Sequence, residues 1–297
     1  MIEMKNAGFT YGDETAESES SRDTGIVDIH LQIRRGECVL LCGESGCGKT
    51  TVTKLINGLI PHFEIGNFSG EVTVNELDTK NVPMYQLAEC VSSVFQNPKT
   101  QFFNTDAESE MTFGLENQAA SVEYIDKRLA QTIEELDLTP LMNKSLFQMS
   151  GGEKQIIAFA GAYLSDTDIV VLDEPSANLD LWAIEKIRGV MEKMKAAGKT
   201  IVIAEHRLYY LRGLVDTVYY MKNGRILESH DVKDFFALDD QRRIGMGLRK
   251  LNMSDLFQIT RTAIQAAEQN RLRVENLTLT YQKKPVFSGL SFEIFST

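Results

Sequence analysis

The sequence predicts an α/β fold in which a mostly parallel sheet is covered by helices, and two observations carry that expectation. Apolar runs of strand length at residues 38–42, 91–95, 168–172, 200–204 and 217–221 alternate with segments of helical periodicity, the order that parallel strands need for their crossovers. The first run leads straight into Gly43-Glu44-Ser45-Gly46-Cys47-Gly48-Lys49-Thr50. That octet fills every fixed position of G-x-x-x-x-G-K-[ST], a phosphate-cradling loop that belongs between a buried strand and a helix N-terminus. With 297 residues, 43% of them apolar, the chain has ample material for a folded core.

Taken in order, residues 2–11 read as a strand ending on the aromatic Tyr11, and residues 26–33 as a second strand. The polar stretch 13–23 between them, rich in Glu, Ser and Thr, is expected to be a mobile loop. Residues 38–42 supply the buried strand before the phosphate loop. After it, Val52, Leu55, Ile56, Leu59 and Ile60 recur at helical spacing, so an amphipathic helix is expected to run to Pro61. The loop's chemistry follows from its residue types. Small residues let successive backbone N–H groups turn toward phosphate, Lys49 reaches the β and γ oxygens, and the Thr50 hydroxyl ligates Mg²⁺. A nucleoside triphosphate is the expected ligand.

Residues 169–174, Ile-Val-Val-Leu-Asp-Glu, make an apolar strand ending in two carboxylates. Asp173 is assigned to the metal and Glu174 to general-base work on an attacking water. Residues 149–155, Met-Ser-Gly-Gly-Glu-Lys-Gln, hold a capping box, with Ser150 three residues before Glu153. A helix is expected to start there and pass through Ile156, Ile157, Phe159 and Ala160. Its positive end and free N–H groups suit an anion, and the paired Gly151 and Gly152 permit close approach.

Composition narrows the partners. A net charge of −11 argues against nucleic acid. No apolar run approaches the roughly 20 residues that cross a bilayer, and the N-terminus lacks the layout of a secretion signal. Cys38, Cys42, Cys47 and Cys90 have no metal-ligand spacing and read as reduced thiols in a cytosolic setting. Cys47 fills a variable loop position, so no thiol chemistry is expected of it; His30, His62 and His230 are read as structural.

The end of the chain repeats its beginning. Residues 272–281, LRVENLTLTY, match residues 2–11 at an offset of 270, and residues 287–294 match 26–33 at an offset of 261. Tyr11 thereby recurs as Tyr281. A second copy of the same domain is expected to begin near Arg271 and to stop two strands in. The expected organisation is a nucleotide-binding domain at 1–230, a helical tail and linker at 231–270, and the truncated start of a second domain at 271–297.

Together these motifs resemble the ATP-binding cassette (ABC) family, whose signature usually reads LSGGQ, over residues 1 to about 230. The resemblance implies a P-loop NTPase fold of the ABC type, with a mostly parallel core, an antiparallel β subdomain and a helical signature subdomain. It implies ATP and Mg²⁺ held by residues 43–50 and Thr51, with Tyr11 stacked on adenine. It makes Gln96, within Phe95-Gln96-Asn97-Pro98, a sensor of Mg²⁺ and the γ-phosphate, and adds Asp180, after Ser176-Ala177-Asn178-Leu179, to the binding set. Lys49, Glu174 and His206 become the catalytic residues, the last contacting the γ-phosphate. Ser150, Gly151, Gly152 and Glu153 face a phosphate held by a second cassette, so ATP lies between two cassettes in a head-to-tail dimer. Glu153 stands where the family usually has Gln, and its charge is expected to weaken a site that uses this signature.

Residues 57–62, Asn-Gly-Leu-Ile-Pro-His, and 94–103 resemble the ATPases of energy-coupling-factor importers. That subgroup implies separate integral membrane coupling and substrate-binding proteins, uptake of vitamins or transition-metal ions, and a seat on the cytoplasmic face of a prokaryotic membrane. The stretch from Gln96 to about Asn117 then forms the coupling surface. The rival reading is a soluble tandem cassette that gates ribosome or DNA binding. Such proteins tend to carry basic extensions, coiled-coil insertions or metal-cluster cysteines, and this sequence shows none.

Overall fold

Ten strands of the first unit, Met1–Leu251, form two sheets whose facing surfaces share one core. The computed structural model describes residues 1–12, 25–249, 251, 271–281 and 284–295. The stretch 13–23, expected to be mobile, and the linker from 252 to 270 lie outside the described residues.

In chain order the strands are β1 (Ile2–Tyr11), β2 (Gly25–Ile33), β3 (Cys38–Gly43), β4 (Gly66–Val74), β5 (Leu77–Asp78), β6 (Val91–Val94), β7 (Ile169–Asp173), β8 (Thr200–Ala204), β9 (Thr217–Lys222) and β10 (Arg225–Asp231). The larger sheet has the order β10-β9-β3-β8-β7-β6, parallel except for the edge hairpin of β9 and β10. The smaller sheet is antiparallel, in the order β2-β1-β4-β5. Every residue of β3, β7 and β8 is buried, as a sheet covered on both faces requires.

Period-two alternation sends the two faces of those strands into different cores. Leu40, Cys42, Val170, Leu172, Ile201 and Ile203 pack with the helical side. Val39, Leu41, Ile169, Val171, Val202 and Ala204 pack with the β1–β2 hairpin and the helix after the phosphate loop. That helix, α1 (Lys49–Ile56), ends before Pro61, so the expected single helix is corrected to two pieces. Gly58 adopts φ +77° and the Asn57 side chain accepts the Leu59 N–H at 3.2 Å, starting the short α2 (Leu59–His62). Ile60, directly before the proline, takes the extended φ/ψ that proline imposes on its predecessor.

The remaining helices are α3 (Met84–Ala88), α4 (Ala107–Asn117), α5 (Val122–Glu135), α6 (Thr139–Met142), α7 (Gly151–Leu164), α8 (Leu181–Ala196), α9 (Val232–Ala237) and α10 (Asp240–Gly245). Helices α4, α5 and α7 pack on one another to make the helical subdomain, and α7 rests on α8. Met111, Leu115, Ile125, Ile157 and Phe159 are among its buried side chains. Short helices α9 and α10 fall within the expected tail at 231–270.

The second unit is described as a hairpin, β11 (Arg271–Tyr281) with β12 (Lys284–Phe295). Its register reproduces that of β1 and β2. Leu272↔Ile294, Arg273↔Glu293, Val274↔Phe292, Leu277↔Leu290 and Leu279↔Phe287 correspond, at the sequence offsets, to Ile2↔Ile33, Glu3↔Gln32, Met4↔Leu31, Ala7↔Ile29 and Phe9↔Ile26. The irregularity recurs as well: Asn6 and Asn276 both take positive φ, 49° and 50°. Burial does not recur. Ile2, Phe9, Ile29 and Leu31 are buried, whereas their counterparts Leu272, Leu279, Leu290 and Phe292 are exposed.

Candidate nucleotide site

The loop between β3 and α1 is set by backbone that only glycine tolerates comfortably. Gly48 sits at φ +103° as the residue before α1, and a Cβ there would stand 2.5 Å from Ile26 Cγ2. No side chain caps α1, so its first N–H groups are open to an anion at the positive end of the helix. Lys49 is buried and donates from Nζ to the Gly43 and Glu44 carbonyls at 3.1 and 2.9 Å. Its ammonium is thereby held over the loop, where phosphate oxygens would compete for it.

Tyr11, Gly25, Gly46, Gly48, Lys49, Thr50, Thr51 and Glu174 line a cleft of about 250 Å³. Tyr11 is fixed at its rim by a hydrogen bond between its hydroxyl and that of Thr51, 3.2 Å, and by an edge contact with Phe9. At the other end of α1, Lys54 lies over the Tyr11 ring and pairs with Glu64. A half-buried aromatic at the rim of the loop is suited to stacking on a base. A separate cleft of about 770 Å³ beside Met1, Gln32 and Thr73 contains none of the candidate residues.

The end of β7 brings the acids to the loop. Thr50 Oγ1 donates to Asp173 Oδ1 at 3.1 Å. Burial pushes the Asp173 carboxyl up to about 6, with the neighbouring Glu174 adding to the effect and Thr50 opposing it. A hydroxyl and a buried carboxylate side by side are hard oxygen donors. Mg²⁺ is typically held by one or two such protein oxygens, with substrate phosphates and water completing the shell, so these residues fit that ion. Among the described residues no group of three His, Cys, Asp or Glu could hold a metal without such help.

Glu174 takes φ +44°, turning its carboxylate out of the strand line. Two expected residues meet on it. Gln96 Nε2 donates to Glu174 Oε2 at 2.8 Å, and His206 Nε2 stands 2.9 Å from Oε1. Segments far apart in sequence thus converge on one carboxylate beside the loop. Sequence reading missed the group that holds His206. Glu205 is 2% exposed and accepts through Oε1 from the backbone N–H of His206 and Arg207, and through Oε2 from Ser176 N–H and the Tyr210 hydroxyl. It ties the segment after β8 to the segment after β7. The available signal was a carboxylate wedged between an apolar strand and a histidine.

The signature residues lie elsewhere. Ser150 and Glu153 form the expected capping box at the start of α7. Gly151, with Gln96, Lys99, Lys154 and Asn178, borders a separate cleft of about 330 Å³. A Cβ on Gly151 would meet nothing within 4 Å, while one on Gly152 would touch Ala183 at 3.0 Å. The openness at Gly151 therefore serves no contact among the described residues. Glu153 is also less isolated than its sequence suggests: Lys144 Nζ stands 2.7 Å from Oε1. Burial pushes its carboxyl up, but Lys144 and the Ser150 N–H together hold it below the usual carboxylate range. Asp180 is placed as the N-cap of α8, accepting from Ala183 N–H at 2.8 Å.

Comparison with known proteins gives a consistent picture. The family model described as ABC transporter matches residues 26–177. A putative ABC transporter ATP-binding protein of Treponema denticola is 46% identical over 256 residues, covering 86% of this chain and 51% of the relative. The chain spans about half the length of the curated relatives it matches. Among solved structures, cbiO1 of Clostridium perfringens, part of the ABC transporter complex cbiONQ, shares the fold with a TM-score of 0.68 at 24% identity, covering 86% of this chain and 96% of that one. The ATP-binding cassette MJ0796, solved as a dimer in a post-hydrolysis state with ADP and Pi, matches with a TM-score of 0.66 at 26% identity, covering 78% of this chain and 99% of that one.

Proposed function

The chain belongs to the ABC transporter family, and from that premise we propose that it binds MgATP and hydrolyses it at a site completed by a second cassette. The observation that carries this reading is the convergence of Gln96 and His206 on Glu174, beside the Thr50–Asp173 pair and the Lys49 loop. When bound, Mg²⁺ neutralises charge on the phosphates; Thr50 and Asp173 would hold it. Glu174 accepts the proton of the attacking water, Gln96 and His206 fix that carboxylate, and Lys49 with the α1 N–H groups stabilises phosphate charge. Tyr11 stacks on the base.

The separation of the signature from this cleft supports a shared site. Gly151 and Gly152 at the start of α7 carry N–H groups that the capping box does not engage, which suits a phosphate held by the partner. The repeated register of β11 and β12, with its counterpart apolar residues exposed, supports reading residues 271–297 as the opening of a second cassette.

The activity is proposed to drive a membrane importer of the energy-coupling-factor type, carrying a vitamin or a transition-metal ion, from the cytoplasmic face. No helix among the described residues is long and apolar enough to cross a membrane, so separate membrane proteins would supply the path. The proposed coupling surface runs from Gln96 to about Asn117. Phe103 is 77% exposed within it, and Phe147, 80% exposed, lies just outside it beyond the backbone bridge between Asp106 and Ser145. Phe103 follows Gln96 on the same segment, and exposed aromatics are suited to docking a partner.

Two measurements test these claims. Phosphate release from MgATP is expected to fall at least about 100-fold in Glu174→Gln with nucleotide binding retained; unchanged turnover would overturn the assignment. Purification from membranes is expected to bring integral membrane proteins with the chain, and to lose them in Phe103→Ala/Phe147→Ala. Recovery with ribosomes or DNA instead would contradict the importer reading.

A further inference from the structure

After α10 the chain returns to the phosphate loop by a strongly anchored path. Arg243, 2% exposed, donates through Nε and Nη2 to the carbonyls of Phe235, Phe236 and Leu238, fixing the turn between α9 and α10. Met246 and Leu248 are buried in the larger core, and the Tyr220 hydroxyl donates to the Met246 carbonyl at 3.0 Å. Between these anchors Gly247 takes φ +69° and lies against Glu44; a Cβ there would stand 2.3 Å from Glu44 Cγ. The next exposed side chain is Arg249. It lines a cleft of about 380 Å³ together with Gly43, Glu44, Ser45, Glu174 and His206.

We propose that Arg249 is a further phosphate-binding residue of this site, meeting the terminal phosphate of a triphosphate, and that Gly247 is the positioning residue that lets the tail reach it. This rests on the proposed ATP site. The wall shared by Glu174, His206 and the outer residues of the loop is where a terminal phosphate has to lie if Glu174 is to activate water against it. That wall carries two carboxylates, Glu44 and Glu174, while Lys49 supplies the loop's own cation from beneath. A further positive charge on the open side offsets the repulsion. Among the described residues Arg249 forms no ion pair, so its guanidinium, with five donors in a planar fork, is uncommitted. Two buried apolar anchors, a tyrosine hydrogen bond and a buried arginine are more than a solvent-exposed tail needs; they hold residue 249 at a fixed place.

The test is nucleotide selectivity, read by binding. A fluorescent ADP and a fluorescent non-hydrolysable β,γ-imido ATP analogue are titrated with Mg²⁺ into the full chain and into Arg249→Ala, Arg249→Lys and Lys49→Ala. Arg249→Ala is expected to weaken the triphosphate about tenfold, the order of one charge-assisted hydrogen bond, and the diphosphate less than about twofold; Arg249→Lys is expected to fall between. Equal loss for both nucleotides, or no loss for either, overturns the proposal. Lys49→Ala is expected to lose both; if it binds both normally, the ATP site itself is wrong, whatever Arg249 does. Gly247→Ala is expected to reproduce the selective loss, and removing the obstructing side chain in Gly247→Ala/Glu44→Ala to restore part of it. Failure to restore any would overturn the positioning role of Gly247.

Discussion

Asp173→Asn is expected to make the protein more stable, although it removes a residue proposed to be essential for function. Asp173 ends β7 with 9% exposure. Its carboxyl is pushed from 3.8 to about 6, by burial first and by Glu174 second. An acid whose folded value is raised holds its proton in the folded state where the unfolded chain has lost it. Folding therefore carries no penalty from this group below about pH 4, an increasing penalty from pH 4 to 6, and the full penalty above 6. Two pH units correspond to about 3 kcal/mol. Asparagine keeps an acceptor for the Thr50 hydroxyl and cannot ionise. Urea denaturation in metal-free buffer should thus show the variant about 2 to 3 kcal/mol more stable at pH 7.5, with the gain vanishing near pH 4. Mg²⁺ with nucleotide should stabilise the natural protein and not the variant. A variant less stable at pH 7.5, or a gain independent of pH, would refute the reasoning.

Further outcomes follow from other contacts. Glu205→Gln offers one acceptor oxygen where four donors converge, so urea denaturation should show a loss of about 3 kcal/mol, and turnover should fall more than nucleotide affinity because His206 loses its backbone anchor. Lys144→Ala leaves Glu153 charged and without its ion pair, so phosphate release should fall by up to about fivefold, the scale of a partly exposed pair; adding Glu153→Gln should restore it, while Glu153→Gln alone should change the rate less than about twofold.

Much of this was legible in the sequence because it is local. The buried strand into the phosphate loop, the capping box of Ser150 and Glu153, and the two carboxylates ending β7 are each fixed within ten residues. The repeat at 272–294 was legible because equal patterning imposes equal register, down to the positive φ at Asn6 and Asn276. What escaped depends on contacts between distant segments. The stripe after the loop is apolar on one side throughout, yet Gly58 and the residue before Pro61 break the helix that carries it. Glu153 looks like an unpaired charge until Lys144 is brought beside it. Glu205 and Gly247 have no motif; only the convergence of four donors from two chain segments on one carboxylate, and the packing of the tail against Glu44, shows what they do.

The central claim is that residues 43–50 supply half a site and α7 of another cassette the other half. Two variants test it: Lys49→Ala, which empties the loop of its cation, and Gly151→Asp, which adds charge where the chain's own fold leaves open space. Each is expected to lose phosphate release alone. Mixed in equal amounts, random pairing makes half the dimers mixed, each with one intact site of two, so about a quarter of the natural activity should return. A mixture as inactive as its components, or a fully active Gly151→Asp, would show that the site is complete within one cassette.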